Sequence, residues 1–428
     1  MTVQTSLGDV VSPALTPLKT AIQNQLIKRL PPGSSHEQVR AAIEQEVAIR
    51  VTTERHLLTD TQQRQLVEAI RDDMLGLGPL EALLADRTVS EIMVNGHQSV
   101  WIEKRGRLQQ TEVRFEDESH LLRIIQRIVG RVGRRIDESA PMVDARLPDG
   151  SRVNAIIPPL ALDGAVLTIR KFPVDRLDLP ALVGLGAMSD GMALFLQCCV
   201  QARCSILVSG GTGSGKTTLL NALSGFIPAG ERLITIEDAA ELQMQQAHVV
   251  RLETRTANQE GQGAVTIEQL LRNALRMRPD RVIIGEVRGP EALTMLQAMN
   301  TGHEGSLTTV HANTPRDAIS RLETMVLMAS ANLPFRAIRE QIGSALDLIV
   351  QTERLSDGSR RVTAISEITG SEGDVLLMQD VFQFRRSGRG ADGTILGEFR
   401  PTGLRPRAIE RFQLMGLDFP LQHIATPF

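Results

Sequence analysis

One short segment of the chain combines the residue types and spacing of a triphosphate-binding site. Residues 210–217 have the sequence Gly-Gly-Thr-Gly-Ser-Gly-Lys-Thr, which is the pattern of a phosphate-binding loop. Glycines let successive backbone N–H groups turn toward phosphate oxygens, Lys216 can neutralise the β and γ phosphates, and the Thr217 hydroxyl can bind Mg²⁺. The residues predicted to bind the nucleotide here are Gly210, Gly211, Thr212, Gly213, Ser214, Gly215, Lys216, Thr217 and Thr218.

The residues on either side of this loop predict the elements that position it. Residues 206–209 are apolar and predict a strand, and residues 218–224 have a helical pattern. A strand, a glycine loop and a helix in this order are the setting in which such a loop binds phosphate. An ordinary glycine turn does not require this setting.

A first candidate for catalysis is Glu237, which ends an apolar predicted strand that begins near Leu233. A carboxylate that faces a bound triphosphate can hold Mg²⁺ through water or orient the attacking water. The neighbouring Asp238 has another explanation, because Asp238 with Glu241 fits a capping box for a following helix. No such capping role accounts for the carboxylate at Glu237.

A second candidate is Glu286, at the tip of the apolar strand predicted over residues 281–286. This strand has the form of a Walker B strand, so Glu286 is expected to polarise water for in-line attack on the γ phosphate and to hold Mg²⁺, directly or through water.

His303 and His311 flank the strand predicted over residues 306–311. A lone histidine is most often structural, but two beside a nucleotide site predict a sensor of the γ phosphate.

The C-terminal half of the chain predicts an α/β domain around the loop. From residue 190 onward, strands predicted over 205–209, 232–237, 248–253, 281–286, 306–311 and 347–352 alternate with helical segments. Such alternation predicts a largely parallel sheet with ligands at the carboxyl ends of its strands. A C-terminal extension adds strands at 361–368 and 375–384, a basic loop at 385–390 that is expected to be a solvated turn, and a helix at 406–414.

The N-terminal half divides into smaller parts. Residues 1–18 are predicted to be a flexible leader and residues 19–77 a bundle of three amphipathic helices. Residues 78–172 predict an α+β domain, with strands at 91–95, 99–103, 150–157 and 165–170 and a helix at 118–132. Residues 173–189 contain prolines and glycines and predict a linker to the α/β domain at 190–428.

Composition limits the classes of partner. The 428 residues include 47 Lys and Arg against 50 Asp and Glu, and only 3% are aromatic, a composition that argues against nucleic acid as a partner. The three cysteines, Cys198, Cys199 and Cys204, match no metal or disulfide pattern and predict buried thiols. Neither a long apolar run nor a basic-then-apolar leader is present, so we expect a cytoplasmic protein that reaches a membrane only through partners.

Four segments together resemble a known family. The loop at 210–217, the TIED segment at 235–238, the RPD and IIGEVR segments within 278–288 and the TGHEGSLTTVHAN segment at 301–313 follow in this order. They resemble the secretion ATPase superfamily of type II and type IV secretion and type IV pili, and the chain is most similar to the CpaF family of Tad pilus assembly ATPases. The resemblance covers the chain from about Leu77 to its end and includes the tail at 338–350.

This resemblance implies a function and an assembly. It implies a RecA-like ATPase domain that hydrolyses ATP with Mg²⁺, a homo-hexameric ring with nucleotide between two domains of each subunit, and inner-membrane pilus platform proteins as partners. It also implies that Arg152 and Arg170 reach the phosphates from the N-terminal domain, and that Arg272 and Arg276 contact phosphate or a neighbouring subunit. For all four arginines, a solvated surface position is the alternative.

Three other functional classes remain open from the residues alone. A type IV secretion ATPase that moves protein or DNA shares all four segments. A nucleic-acid helicase on the same core is disfavoured by the balanced charge and few aromatics. A scaffold that binds nucleotide without turnover predicts binding without phosphate release.

Overall fold

The structure is a computed structural model that describes residues 15–31, 33–53, 58–104, 106–172, 176–255, 257, 262–373 and 375–425. The chain forms two compact units, Met1–Val174 and Asp175–Phe428. None of the helices in these described ranges is long and apolar enough to cross a membrane.

The first unit begins with three helices, α1 (Thr16–Arg29), α2 (His36–Thr53) and α3 (Asp60–Leu75). The three helices predicted for this region are therefore present. Their apolar faces meet in a small core that includes the fully buried Ile22 and Ile43. Most of the predicted leader, residues 1–14, lies outside the described residues, and its last part already belongs to α1.

The rest of the first unit is an antiparallel sheet with one long helix against it. Its elements are α4 (Glu81–Ala85), β1 (Val89–Asn95), β2 (Val100–Lys104), β3 (Arg107–Gln110), α5 (Glu118–Arg131), β4 (Met142–Arg146), β5 (Arg152–Ile156) and β6 (Val166–Arg170). The strand order is β3-β2-β1-β6-β5-β4. One face of α5 supplies Leu121, Ile125 and Ile128 to the core beneath the sheet. The sequence predicted β1, β2, β5, β6 and α5 but missed the more exposed β3 and β4.

A buried ionic cluster joins the helical bundle to the α+β part of this unit. Asp73 on α3 forms an ion pair with Lys19 of α1, and its Oδ1 lies 3.4 Å from His120 Nε2 of α5. Lys19 Nζ also lies 2.9 Å from Glu116. Gln23 donates a further hydrogen bond of 2.9 Å to Asp73. Burial alone would raise the pKa of Asp73, but the hydrogen bonds and charges of His120 and Lys19 outweigh it and lower this pKa to about 2.

Replacing Asp73 by Asn is expected to destabilise the first unit. The substitution leaves the Lys19 ammonium short of a buried partner, which costs about 3 kcal/mol. Because the folded pKa of Asp73 lies below its unfolded value, its contribution is present above about pH 4 and is lost as the pH falls toward the folded pKa of about 2. Hydrogen exchange of α1 and α3 in the full chain should therefore be faster in Asp73→Asn at pH 7, and the difference should shrink in acid.

The neighbouring Asp72 provides the matched control. Its partner, Arg71, is half exposed, so the Asp72→Asn variant should lose little protection. Equal protection of α1 in wild type and Asp73→Asn at pH 7 would show that the ionic cluster does not stabilise the bundle.

The second unit alternates helices and strands and then ends in a long antiparallel extension. Its elements are α6 (Leu179–Gly184), α7 (Asp190–Gln201), β7 (Ile206–Gly210), α8 (Lys216–Ser224), β8 (Leu233–Glu237), β9 (Val249–Glu253), α9 (Ile267–Ala274), β10 (Arg281–Ile284), α10 (Glu291–Asn300), β11 (Leu307–Val310), α11 (Pro315–Ala329), α12 (Phe335–Ala345), β12 (Leu348–Arg354), β13 (Arg360–Glu372), β14 (Val375–Arg389), β15 (Ile395–Pro401) and α13 (Ala408–Leu414).

One nine-stranded sheet organises this unit, in the order β15-β14-β13-β12-β7-β11-β10-β8-β9. The six strands from β12 to β9 are parallel, and β13, β14 and β15 add to them antiparallel. Every residue of β7 is buried, since β12 and β11 flank it and apolar layers cover both faces. The predicted RecA-like α/β class, preceded by a helical bundle and a smaller α+β domain, is confirmed.

Three local predictions in this unit were wrong. Residues 173–189 are not simply a linker, because α6 lies within them and buries Leu179 and Leu182, although residues 173–175 are outside the described residues. Residues 238–248 are all described and form no helix, so Asp238 and Glu241 cap none. The basic segment at 385–390 is exposed as expected, but most of it extends β14 and pairs with β15 rather than forming a turn.

The amino ends of the parallel strands are tied together by a buried arginine. Arg281, at the start of β10, is fully buried and binds Glu231 through Nε (2.6 Å) and Nη2 (3.0 Å). Its Nη1 donates to the carbonyl oxygens of Val200 (2.8 Å) and Gly305 (3.2 Å). One guanidinium thus connects the segments that lead into β7, β8, β10 and β11.

Candidate functional site

The glycine loop connects β7 to α8 at the carboxyl edge of the parallel strands. Gly213 and Gly215 have positive φ angles of 68° and 97°, a conformation that favours glycine, and Gly215 is the residue before α8. A Cβ at Gly210 would lie 2.4 Å from both Ser214 Oγ and the Thr352 carbonyl oxygen. The loop is therefore a tight cradle in which glycine is required at three positions.

Lys216 lies inside this cradle. Its side chain is buried, and Nζ donates to the carbonyl oxygens of Gly210 (3.1 Å) and Gly211 (3.0 Å). The same ammonium lies 3.2 Å from His311 Nε2. Neutral carbonyls bind an ammonium more weakly than phosphate does, so an incoming phosphate can displace them.

His311 connects Lys216 to Glu286. Its Nε2 is 3.3 Å from Glu286 Oε1. Burial lowers the pKa of His311 below its usual range and the Lys216 charge acts in the same direction, whereas Glu286 opposes them. A pKa below the usual range favours the neutral imidazole at pH 7, in which Nε2 either accepts from Lys216 or donates to Glu286 but cannot do both at once.

Glu286 is held by a second partner that the sequence did not predict. Arg288 Nη2 lies 2.7 Å from Glu286 Oε2, and Arg288 Nη1 lies 3.4 Å from Asp238 Oδ2. Burial alone would raise the pKa of Glu286, but the hydrogen bond and charge of Arg288, with His311 and Lys216, lower it. A charged carboxylate with a low pKa is a weak base, so it suits orientation of a water better than removal of its proton. The signal for Arg288 in the sequence was its place two residues after Glu286.

Glu237 is buried against the backbone. Its Oε1 accepts hydrogen bonds from the N–H groups of Glu241 (2.8 Å) and Leu242 (2.9 Å), and a Cβ at Gly285 would lie 2.8 Å from its Cγ. Burial raises its pKa, although these two N–H groups lower it in part. Glu237 Oε2 is also buried and has no hydrogen-bond partner among the residues the structure describes. Glu237 thus fixes the backbone of the segment after β8 through Oε1, and its Oε2 can bind a further ligand.

The two histidines lie at opposite ends of β11. His311 follows the strand at the carboxyl edge, whereas His303 precedes it and lies 3.2 Å, through Nδ1, from the carbonyl oxygen of Pro279. Pro279 itself precedes β10, so this contact belongs to the amino edge. The prediction that both histidines lie beside the phosphates is wrong for His303, because parallel strands put their two ends at opposite edges of the sheet.

Arg272 and Arg276 are also away from the loop within their own unit. Both are exposed near the end of α9 that leads into β10, and Arg272 forms a 2.6 Å ion pair with Glu268. Arg276 lies beyond the last residue of α9 and donates to the Arg272 carbonyl oxygen at 2.9 Å. Arg276 therefore lies outside the helix that carries Arg272, and that helix begins with a capping box of Thr266 and Gln269.

Arg152 and Arg170 are direct neighbours on the sheet of the first unit. Arg152 of β5 pairs in register with Arg170 of β6 on one side and with Arg146 of β4 on the other. Arg170 Nε lies 3.7 Å from Glu91. Like charges in directly opposite positions repel one another, so this row of three arginines is suited to binding an anion. Arg146 was not predicted, because its strand was missed.

The residues at the carboxyl edge fit a nucleotide with Mg²⁺. The loop is a cradle that any Cβ at Gly210 would fill, and the buried Oε2 of Glu237 and the Thr217 hydroxyl are oxygen donors of the kind that Mg²⁺ takes. A cleft of about 270 Å³ lies beside the loop, lined in part by Gly215, Thr218 and Leu219. Its size is at the lower end of small-molecule sites.

Comparison with known proteins indicates a family. The family described as type II/IV secretion system protein matches residues 73–379. A Mycobacterium tuberculosis protein whose name refers to conjugal transfer is 39% identical over 325 residues, which are 74% of this chain and 92% of that protein. The type IV secretion system protein PtlH of Bordetella pertussis is 38% identical over 315 residues, 67% of this chain and 91% of that protein.

Among solved structures, the chain is similar to the VirB11 ATPase from the Brucella suis type IV secretion system, crystallised with sulphate. The two are 32% identical, with 67% of this chain and 91% of that chain covered, and the TM-score is 0.37. The fold assignment accordingly rests on the strand order described above.

Proposed function

The chain belongs to the type II/IV secretion system protein family, and we propose that it is an ATP hydrolase that acts as the motor of a Tad pilus. The observation that carries the proposal is the continuous path from the phosphate loop through Lys216, His311 and Glu286 at one edge of the sheet. ATP as the nucleotide, and the Tad pilus as the machine, follow from the resemblance of the four sequence segments.

In this proposal the nucleotide changes the partners of Lys216. A β or γ phosphate in the cradle attracts the ammonium away from the carbonyls of Gly210 and Gly211 and from His311. His311, which is neutral, then keeps only its contact with Glu286. Binding of phosphate at Lys216 in this way changes the surroundings of Glu286, which is connected to Lys216 through His311.

Glu286 is proposed to accept a hydrogen bond from the attacking water and to align it with the γ phosphate. The low pKa keeps Glu286 charged at neutral pH, and Arg288 fixes its direction. Mg²⁺, when bound, would neutralise charge on the phosphates, with Thr217, Glu237 and Glu286 as the proposed holders, directly or through water. Arg152 and Arg170 are proposed to bind phosphate, and Arg272 and Arg276 to contact phosphate or a neighbouring subunit.

A second candidate function is supported by the relatives. PtlH of Bordetella pertussis is named a type IV secretion system protein, and the Mycobacterium tuberculosis relative is named for conjugal transfer. A type IV secretion ATPase that moves protein or DNA would use the same loop and carboxylates. Either machine would require a homo-hexameric ring and partner proteins at the inner membrane, with the chain itself peripheral to it.

The test is to measure particle size with and without ATP and Mg²⁺ while phosphate release is recorded. We expect a hexamer, stabilised by nucleotide, that releases phosphate. A monomer indifferent to ATP contradicts the proposal, and a ring that binds ATP without releasing phosphate identifies a nucleotide-gated scaffold. In cells from which the protein has been deleted, loss of pili with normal conjugation and protein secretion supports the Tad assignment. Normal pili with loss of conjugation or protein secretion supports type IV secretion.

A further inference from the structure

Gln351, on β12, is a buried polar residue that follows an apolar stretch of its strand. It is 4% exposed, and residues 348–350 before it are buried and apolar. Its Nε2 donates to the carbonyl oxygens of Ala312 (3.2 Å) and Asn313 (3.0 Å). Gln351 Oε1 is also buried and has no hydrogen-bond partner within the described part of the chain. The amide therefore connects β12 to the segment that follows β11.

Stability alone does not account for a glutamine at this position. A buried acceptor that is left unpaired destabilises the folded state. Methionine has a similar length and would fill the same space without that loss. The two hydrogen bonds of Gln351 Nε2 are therefore the reason to look for a function of this side chain.

The side chain of Gln351 crosses the strand that leads into the phosphate loop. Gln351 pairs in register with Ser209 of β7, and Ser209 pairs with Val310 of β11. Gln351 and Val310 are thus two strand spacings apart, roughly 10 Å. The small Ser209 between them leaves room for the amide to reach the carbonyls that follow Val310. In this way β12 is attached to the segment after β11 although β7 lies between the two strands.

The attached segment begins with His311. Residues 311–313 connect β11 to the N-terminal cap of α11, and Gln351 holds the last two carbonyl groups of this connection. The backbone from which the imidazole extends is therefore fixed. His311 Nε2 lies 3.2 Å from Lys216 Nζ and 3.3 Å from Glu286 Oε1, and both distances depend on that backbone.

The next residue of β12 holds the phosphate loop. Thr352 Oγ1 donates to the Ser209 carbonyl oxygen at 3.1 Å and lies 2.9 Å from Ser214 Oγ. Two successive residues of β12 thus contact the phosphate loop and the segment that carries His311. The end of this strand sets the position of His311 relative to the loop.

We propose that Gln351 is a positioning residue, which places His311 between Lys216 and Glu286 for ATP hydrolysis. This inference rests on the proposed function. Gln351 acts through the peptide groups that follow His311, and it lies outside the four sequence segments that resemble the family. When phosphate attracts the Lys216 ammonium, the fixed backbone keeps the imidazole at Glu286.

The test compares Gln351→Met with wild type in steady-state ATP hydrolysis by the full chain. The substitution removes both hydrogen bonds, so kcat should fall about tenfold because His311 is displaced, while KM changes less than about twofold. The same substitution in a His311→Asn chain should cause no further loss, since the positioned group is already absent. An equal loss in both backgrounds overturns the inference, and so does an unchanged kcat in Gln351→Met.

Gln246→Met is the matched control. Gln246 Nε2 also donates to two carbonyl oxygens, those of Ser224 (2.6 Å) and Ile227 (3.2 Å), and its Oε1 is likewise buried without a partner among the described residues. Both carbonyls lie at the end of α8 that is far from the phosphate loop. Gln246→Met should therefore keep the wild-type kcat.

Hydrogen exchange of residues 307–314 tests the inference without turnover. Exchange should be faster in Gln351→Met and unchanged in Gln246→Met, and equal exchange in Gln351→Met and wild type overturns the inference. If Gln351→Met does not fold, Gln351→Leu is judged by the same criteria. A wild-type chain that releases no phosphate contradicts the proposed function itself, and exchange then decides whether Gln351 holds the segment that carries His311.

Discussion

The Glu286→Gln variant should bind ATP as wild type does and release phosphate about 10² to 10³ times more slowly. Glutamine has the size of glutamate and can still contact His311 and Arg288, so the cradle around Lys216 should stay intact. What the substitution removes is the negative charge that attracts and aligns a water. Single-turnover phosphate release, with ATP affinity measured separately, distinguishes the chemical step from binding.

The control for Glu286 is Glu304, an exposed glutamate in the loop before β11 at the opposite edge of the sheet. Glu304→Gln carries the same change of charge and should turn over at the wild-type rate. Should Glu286→Gln also match wild type, the assignment of Glu286 as the residue that orients water is wrong.

The Lys216→Ala variant should lose at least about 100-fold in nucleotide affinity, because the only cation placed inside the cradle by the described residues is removed. The readout does not depend on turnover. A ligand present at 100 times its dissociation constant stabilises a folded protein by about 2.7 kcal/mol, whereas after a 100-fold loss of affinity the same concentration stabilises it by only about 0.4 kcal/mol. ADP should therefore raise the unfolding temperature of wild type clearly and that of Lys216→Ala hardly at all.

Lys28 offers a comparison for this substitution. It is exposed on α1, so Lys28→Ala should keep the full ADP-dependent rise in unfolding temperature. An equal rise in Lys216→Ala would mean that the loop holds phosphate through its backbone alone, or that nucleotide binds elsewhere.

The phosphate loop and its setting could be predicted because both depend on local rules. Positive φ angles require glycine at Gly213 and Gly215, and the buried strand β7 is a short continuous apolar run. Once the strands were placed along the chain, the rule that ligands bind at the carboxyl ends of parallel strands put Glu286 and His311 on the correct edge. The exposed strands β3, β4 and β15 have no such apolar pattern and were missed.

The errors at the candidate site arose where tertiary contacts compete with local ones. Asp238 was given a capping role, yet it is Glu237 that accepts the backbone N–H groups of Glu241 and Leu242. Sequence spacing cannot show which of two adjacent carboxylates turns inward. His303 was grouped with His311 because the two flank one predicted strand, but that strand separates their positions by its whole length, roughly 13 Å for four residues.

The buried guanidinium of Arg281 has a consequence for how work could be transmitted through the second unit. It ties together the segments that lead into four parallel strands, so those strands resist sliding past one another. Such a buried charged group is expected to fix one geometry more than to add stability. The sheet is therefore expected to be rigid at the amino edge of its parallel strands. Rearrangements that phosphate causes at the carboxyl edge would then rotate the second unit as one rigid body.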